Sequence, residues 1–341
     1  VVVTDTGAIG GLATQLAATD SAYETPAYAD PTVFAEREVI VGEGSAWPLP
    51  ATLSLPHDSA SGPGVVLVHG SGPLDRDETI GSNKPFRDLA WGLATRGIAV
   101  LRYEKRTRAY GERISPEQAA SMTVQEEVVD DALAAVALLR RAPGLDPGRV
   151  FLLGHSLGAT LAPRIAQQEP AIAGLVVLAG MTRPLEDTIL DQVTYLATVN
   201  GPASDRDAAE IESLKRKVAR VKDPELSPAV PPEELPLNVP AAYWLALRGY
   251  RPAEVAHSLS LPMLVLQGGR DYQVSPVADF PAWREALEAK PGARLRLYPA
   301  LNHAFMAGEG PSTAMDYALA GHVSREVVDD IVRWIEASAK R

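Results

Sequence analysis

Five consecutive residues, Gly154-His155-Ser156-Leu157-Gly158, set a serine between two glycines. A short apolar run, Arg149 to Leu153, leads into them, and mostly helix-forming residues, Ala159 to Gln168, lead away. A serine at a sharp bend between a buried strand and a helix has its hydroxyl lifted clear of the sheet, where it can act as a nucleophile. Glycines suit the flanks of that bend, because strand and helix crowd it and leave no room for a Cβ. The helix that follows would turn its N-terminal N–H groups towards negative charge developing on a substrate.

A serine hydroxyl needs a base to take its proton and a third group to orient that base. The chain has six histidines. His69 and His155 lie inside tight glycine-containing motifs and are expected to serve their geometry. His57 falls in a turn, His322 at the start of the last helix, and His257 ahead of a strand, at its wrong end. His303 remains, in a loop after the strand that ends at Tyr298, and ligand chemistry in open α/β sheets sits beyond the carboxyl ends of strands. Asp271, after the strand ending near Gln267, is the expected acid; Glu186 and Asp187 are the alternatives. The oxyanion formed in acyl transfer needs two main-chain N–H donors. Leu157 is expected to supply one, and the loop His69-Gly70-Ser71-Gly72 the other, from Ser71 or, second, Gly72.

These residues require an alternating scaffold. Glu38 to Val41 and Ala51 to Leu55 read as two antiparallel strands. From Val65 on, buried strands alternate with amphipathic helices, as in a mostly parallel sheet with helices on both faces. The strands are Val65–Val68, Ile98–Tyr103, Arg149–Leu153, Ile172–Leu178, Pro262–Leu266 and Leu295–Tyr298. The helices are Lys84–Arg96 with Gly97 as its stop, Thr123–Arg141, Phe280–Lys290 and Arg325–Ala339. In Thr123–Arg141 the residues Glu126, Glu127, Asp130 and Asp131 are expected to face solvent.

Between Met181 and Leu261 the strand signal vanishes and helices take over. The expected organisation is therefore an N-terminal extension (1–32), a core (33–180 and 262–341) and a helical cap (181–261). The cap is expected to roof Ser156 and to offer Tyr195, Tyr243 and Trp244 to substrate. Leu12 to Leu16 could form one helical turn within the extension.

The 341 residues are enough for a sizeable core, and 46% hydrophobic with 22% charged residues is ordinary for a globular chain. A net charge of -11 argues against nucleic acid or anionic membrane as partner. Without cysteine, disulfides and thiolate chemistry are excluded. No apolar run reaches the roughly 18 to 20 residues of a membrane span. The start at Val1 is compatible with removal of a leader. The compartment stays open, with cytoplasm favoured over secretion, and so does homo-oligomer formation.

The sequence resembles bacterial α/β-hydrolase carboxylesterases of the type that often carries a small N-terminal domain of unknown function. The likeness runs from His69-Gly70-Ser71-Gly72-Pro73-Leu74-Asp75-Arg76-Asp77-Glu78-Thr79 through Asn83 to Ala90, Arg102 to Thr107 and the Ser156 motif. Gly269-Arg270-Asp271 and Asn302-His303 complete it. It covers roughly Glu38 to Ala339; Val1 to Ala29 is too short to be the extra domain. The resemblance implies hydrolysis of small-molecule esters without metal or cofactor, through the order Ser156, Asp271, His303. An acyl-peptide hydrolase or aminopeptidase could use the same machinery, and a non-catalytic binding module would lack one of its members. A haloalkane dehalogenase would need an acid at position 156 and a dienelactone hydrolase a cysteine. Asp75, Arg76, Asp77, Lys105 and Arg106 lie on loops at strand ends, where mutual pairing that braces the oxyanion loop is favoured over binding of a substrate carboxylate.

Overall fold

A computed structural model describes residues 23–58 and 61–338. The expected turn at Leu12 to Leu16, most of the 1–32 extension and the end of the last helix lie outside the described residues. Eight strands form one sheet: β1 (Phe34–Val41), β2 (Leu49–Pro56), β3 (Gly62–Val68), β4 (Ala99–Tyr103), β5 (Leu145–His155), β6 (Leu175–Leu178), β7 (Met263–Gly268) and β8 (Ala293–Tyr298). Their order is β1-β2-β4-β3-β5-β6-β7-β8. Pairing is antiparallel from β1 to β2 to β4 and parallel throughout the rest.

The helices are α1 (Pro85–Ala94), α2 (Arg106–Tyr110), α3 (Pro116–Ser121), α4 (Asp130–Leu139), α5 (Leu157–Gln168), α6 (Leu185–Thr198), α7 (Asp205–Lys222), α8 (Ala241–Leu247), α9 (Pro252–Ser258), α10 (Asp279–Leu287) and α11 (Arg325–Ser338). Side chains alternate across each strand, so two apolar layers form. Val65, Leu67, Phe151 and Leu153 meet Phe86 and Leu93 of α1 and Ile331, Trp334 and Ile335 of α11 on one face. Val66, Val68 and Leu152 meet Val136 and Leu139 of α4, Leu161 and Ile165 of α5, and Trp283 of α10 on the other. Helix α1 stops as expected, with Gly97 at φ +80°.

Two differences from the sequence reading matter. The segment ahead of α4 is not regular α-helix: Gln125–Val129 forms a π-helical turn. Its wider winding shifts the register of the face that follows. Glu127 and Asp131, expected in solvent, are instead buried, at 8% and 4% exposure. Glu127 faces Lys105, and Asp131 receives two hydrogen bonds from Arg106, at 2.6 and 3.2 Å.

The second difference concerns the chain between β6 and β7. Ile189, Val221, Leu226, Val230, Leu235, Ala241 and Trp244 give α6, α7 and α8 a small core of their own. Helix α9 packs instead on α5 and α10, with Ala256 in the main core.

Candidate active site

Strand β5 ends in His155, and helix α5 starts at Leu157. Ser156 joins them at φ +54° and ψ -115°, a conformation that costs a non-glycine residue about 1–3 kcal/mol. The cost is borne because the surroundings allow nothing else. Ser156 N–H donates to the carbonyl of Leu178 on β6 (2.9 Å), and its own carbonyl accepts from Thr160 N–H (2.9 Å). A Cβ on Gly154 would lie 2.3 Å from the carbonyl oxygen of Gly158, and one on Gly158 would lie 2.3 Å from that of Val68. Both flanking glycines are therefore demanded by close backbone approach.

Asp271 follows β7 and His303 follows β8, so the neighbouring strands bring them together. Oδ2 of Asp271 lies 2.7 Å from Nδ1 of His303, with both residues 4% exposed. The carboxylate is fully engaged: Oδ1 accepts from the N–H groups of Gln273 (2.8 Å) and Val274 (2.9 Å), and Oδ2 also accepts from Gln267 Nε2 (2.9 Å). The His303 loop is held by Asn302, whose Oδ1 accepts from the N–H groups of Ala304 and Met306. The alternative acids sit elsewhere: Asp187 pairs with Lys222, and Glu186 lies in the first turn of α6.

The loop after β3 passes directly over the serine. A Cβ on Gly70 would lie 3.2 Å from Cβ and 3.7 Å from Oγ of Ser156. Ser71 and Gly72 (φ +96°) come next. Leu157 opens α5, where the first N–H groups have no intrahelical acceptor.

This loop is braced from several sides. Asp75 accepts from Thr79 N–H (2.9 Å) and hydroxyl (2.7 Å). Arg76 pairs with Glu104 (2.8 Å) and Glu38 (2.6 Å). Asp77 pairs with Arg102, Arg87 and Lys84. Glu78, in the left-handed region at φ +53°, takes the N–H of Gly70 on Oε1 at 2.7 Å. Its Oε2 lies 2.8 Å from Nδ1 of His155. Burial opposes charge on both, but their mutual attraction prevails: Glu78 is held below the usual carboxylate range, and His155 above the usual histidine value. His69 packs between Phe86, tilted against its ring, and Tyr103, edge-on, and burial lowers its pKa to about 4. Glu78 was visible only as part of a motif; its sequence signal is an acid in a loop otherwise rich in glycine.

The three aromatic residues expected at the substrate are scattered. Tyr195 stacks on Tyr272 (5.5 Å, 9° between rings), beside the cluster of Ala304, Met306 and Tyr317 that borders His303. Tyr243 donates its hydroxyl to Glu127 Oε2 at 2.8 Å, and burial raises its pKa well above the ordinary value. Trp244 is 1% exposed within the core of the insertion, its indole N–H on the carbonyl of Val239. Among the described residues, no group of three or more His, Asp or Glu side chains is arranged to hold a metal ion. Nor is any helix among them long and apolar enough to cross a membrane.

The fold, a mostly parallel eight-stranded sheet flanked by helices, is that of the α/β hydrolases. The chain belongs to the family described as serine aminopeptidase, S33, whose model matches residues 65–310, and it is a serine hydrolase. It is similar to the esterase EstD of Thermotoga maritima, 42% identical over 93% of this chain and 71% of that protein. Est1E from Butyrivibrio proteoclasticus shares the fold at 14% identity, with a TM-score of 0.55 over 89% of this chain and 99% of that one. So does an esterase of Pyrococcus furiosus, at 13% identity and a TM-score of 0.53 over 89% and 91% of the two chains.

Proposed function

We propose that the protein is a serine carboxylesterase that hydrolyses short-chain carboxylic esters through an acyl-enzyme. Ser156 Oγ attacks the ester carbonyl while His303 takes its proton, and Asp271 orients the ring and stabilises the imidazolium. The N–H groups of Leu157 and Ser71, with Gly72 adjacent, hold the oxyanion. The leaving alcohol receives the proton from His303, and water then attacks the acyl-enzyme by the same route in reverse. No metal or cofactor takes part. The observation that carries this reading is the 2.7 Å contact between Asp271 and His303, whose ring lies 4.6 Å from that of His155, the residue just before the strained Ser156.

Tyr195, Tyr272, Leu196 and Met306 form the apolar side of the acyl site, under a cap drawn from residues 181–261. The charged outer surface of α7, with Arg206, Glu210, Glu212 and Lys215 in ion pairs, does not suit a lid that must meet an oil surface. Acyl chains of about two to six carbons fit a closed, partly apolar pocket of this kind. The partner is a small-molecule ester, not nucleic acid, and any homo-oligomer would be read by sedimentation.

The test combines a fluorophosphonate label with an ester series from acetate to palmitate. Labelling at Ser156 and faster turnover of butyrate than palmitate, with no jump when an emulsion forms, support the reading. Failure to label Ser156 favours a binding module, and a jump on emulsion shows a lipase lid. The family description favours one competing reading, an aminopeptidase. Faster cleavage of aminoacyl anilides than of butyrate esters would establish it.

A further inference from the structure

Lys105 is 2% exposed, yet it is not spent on a surface ion pair. Its Nζ donates to the carbonyl oxygen of Gly70 at 2.8 Å and lies 3.4 Å from Oε1 of Glu127. Glu127 also accepts the hydroxyls of Thr107 (3.0 Å) and Tyr243 (2.8 Å). A buried ammonium with one carboxylate partner and one main-chain acceptor needs a reason to be there, because desolvating it is costly. The acceptor supplies the reason. The carbonyl of Gly70 and the N–H of Ser71 belong to one peptide unit, which is planar and trans, so the two groups point in opposite directions.

We propose that Lys105 is a positioning residue for the oxyanion hole: by holding the Gly70 carbonyl, it turns the Ser71 N–H towards Ser156 and polarises it. The preceding peptide is held as well, by the Gly70 N–H on Glu78 (2.7 Å), so both peptide units that meet at Gly70 are anchored. A positive charge behind the carbonyl draws electron density from the amide and strengthens its N–H as a donor. Through Glu127 the same ammonium is tied to Tyr243 in α8, so the helical insertion reaches the oxyanion loop without touching substrate.

This rests on the reading of Ser156 as the nucleophile with the Ser71 N–H as an oxyanion donor, and the Ser156→Ala arm separates failure of that catalytic assignment from failure of the role of Lys105. Wild type, Lys105→Met, Lys105→Gln and Ser156→Ala are compared on a soluble butyrate ester. Their affinity for an alkyl trifluoromethyl ketone is measured in parallel. That ketone forms a bond from Ser156 Oγ to its carbonyl carbon, the carbonyl oxygen becomes the oxyanion, and the serine proton passes to His303. Losing an oxyanion donor outright costs about 10²–10³ in kcat, and misaiming one should cost about 10–10². Lys105→Met is therefore expected to lower kcat by that factor, leave KM within about threefold, and weaken ketone binding in proportion to kcat. Lys105→Gln, shorter and uncharged, should fall between, and it decides the matter if Lys105→Met does not fold. Wild-type kcat and ketone affinity in Lys105→Gln, or a kcat loss in either variant without matching loss of ketone affinity, overturns the proposal. Continued turnover by Ser156→Ala would instead overturn the underlying assignment.

Discussion

Nδ1 of His155 lies 2.8 Å from Oε2 of Glu78, while Nε2 of the same ring lies 3.0 Å from the carbonyl oxygen of His303. The carbonyl can only accept, so Nε2 carries a proton. A bare Nδ1 lone pair facing a carboxylate at this distance would be repelled, so a proton sits there too. The contact departs from a linear hydrogen bond and acts mainly as an imidazolium–carboxylate pair. One buried pair thus joins the nucleophile turn, the loop over Ser156 and the main chain of His303.

Glu78→Gln should therefore destabilise the protein by about 3–5 kcal/mol, the cost of breaking a buried pair. His155 has a raised pKa, so its contribution is complete below about 6.5 and is lost as pH rises through the higher folded value. Glu78 has a lowered pKa, so its contribution is present above about 4.5 and is lost as pH falls through the lower folded value. The gap between wild type and variant should be widest between these limits and narrow on the alkaline side. Denaturant titrations from pH 5 to 9 measure it; a gap independent of pH would refute the ion pair.

His69 works in the opposite direction. Its folded pKa of about 4 lies below the ordinary histidine value of 6.5, so the fold holds the neutral ring. Stability is intact above 6.5 and falls as pH drops towards 4, by about 3 kcal/mol from this group. In His69→Asn the curve of unfolding free energy against pH should be flatter between 6.5 and 4. Equal slopes in the two proteins would show that the ring is not kept neutral.

Ser156→Ala and His303→Ala should each lower kcat by several orders of magnitude and leave the unfolding midpoint near wild type. Residues that act as one unit are not additive, so the double variant should be scarcely slower than either single one. Asp271→Asn should lose about 10⁴ in kcat, because the wrong histidine tautomer is then favoured. Near-normal turnover of Asp271→Asn would point to a different acid.

Trp244 and Tyr195 should separate cleanly. Trp244→Ala opens a cavity in the core of the insertion and is expected to cost about 3–5 kcal/mol of stability. Tyr195→Ala removes one half of a stacked pair beside the His303 loop and should shift acyl-length preference more than stability. Thermal melts and a chain-length series on both variants distinguish packing from substrate contact.

That Ser156, Asp271 and His303 each follow a strand was legible in sequence, because each comes after an apolar run that reads as a buried strand, and neighbouring strand ends lie together in a parallel sheet. The inward turn of Glu127 was not. A period of 3.6 assigns it to the solvent face, and nothing local announces the π-turn at Gln125–Val129. Lys105 could be placed on a loop and suspected of bracing, but its partner Gly70 follows the neighbouring strand β3, far away in sequence, and is chosen by the fold. Trp244 shows a different limit: an aromatic on an amphipathic helix fits a core and a binding wall equally, and only burial tells them apart.

Strands β6 and β7 are hydrogen-bonded neighbours, in register from Leu175 with Met263 to Leu178 with Leu266, although residues 179–262 separate them in sequence. The path leaves the sheet and returns to the adjacent lane, so the length of the excursion does not enter the spacing of Ser156, Asp271 and His303. The insertion between β6 and β7 is thus a replaceable module on a fixed chassis, open to grafting. Its freedom ends at one hydroxyl. Whatever segment stands in for α8 must still present a donor where Tyr243 meets Glu127, or Lys105 loses the company that keeps its charge buried behind Gly70.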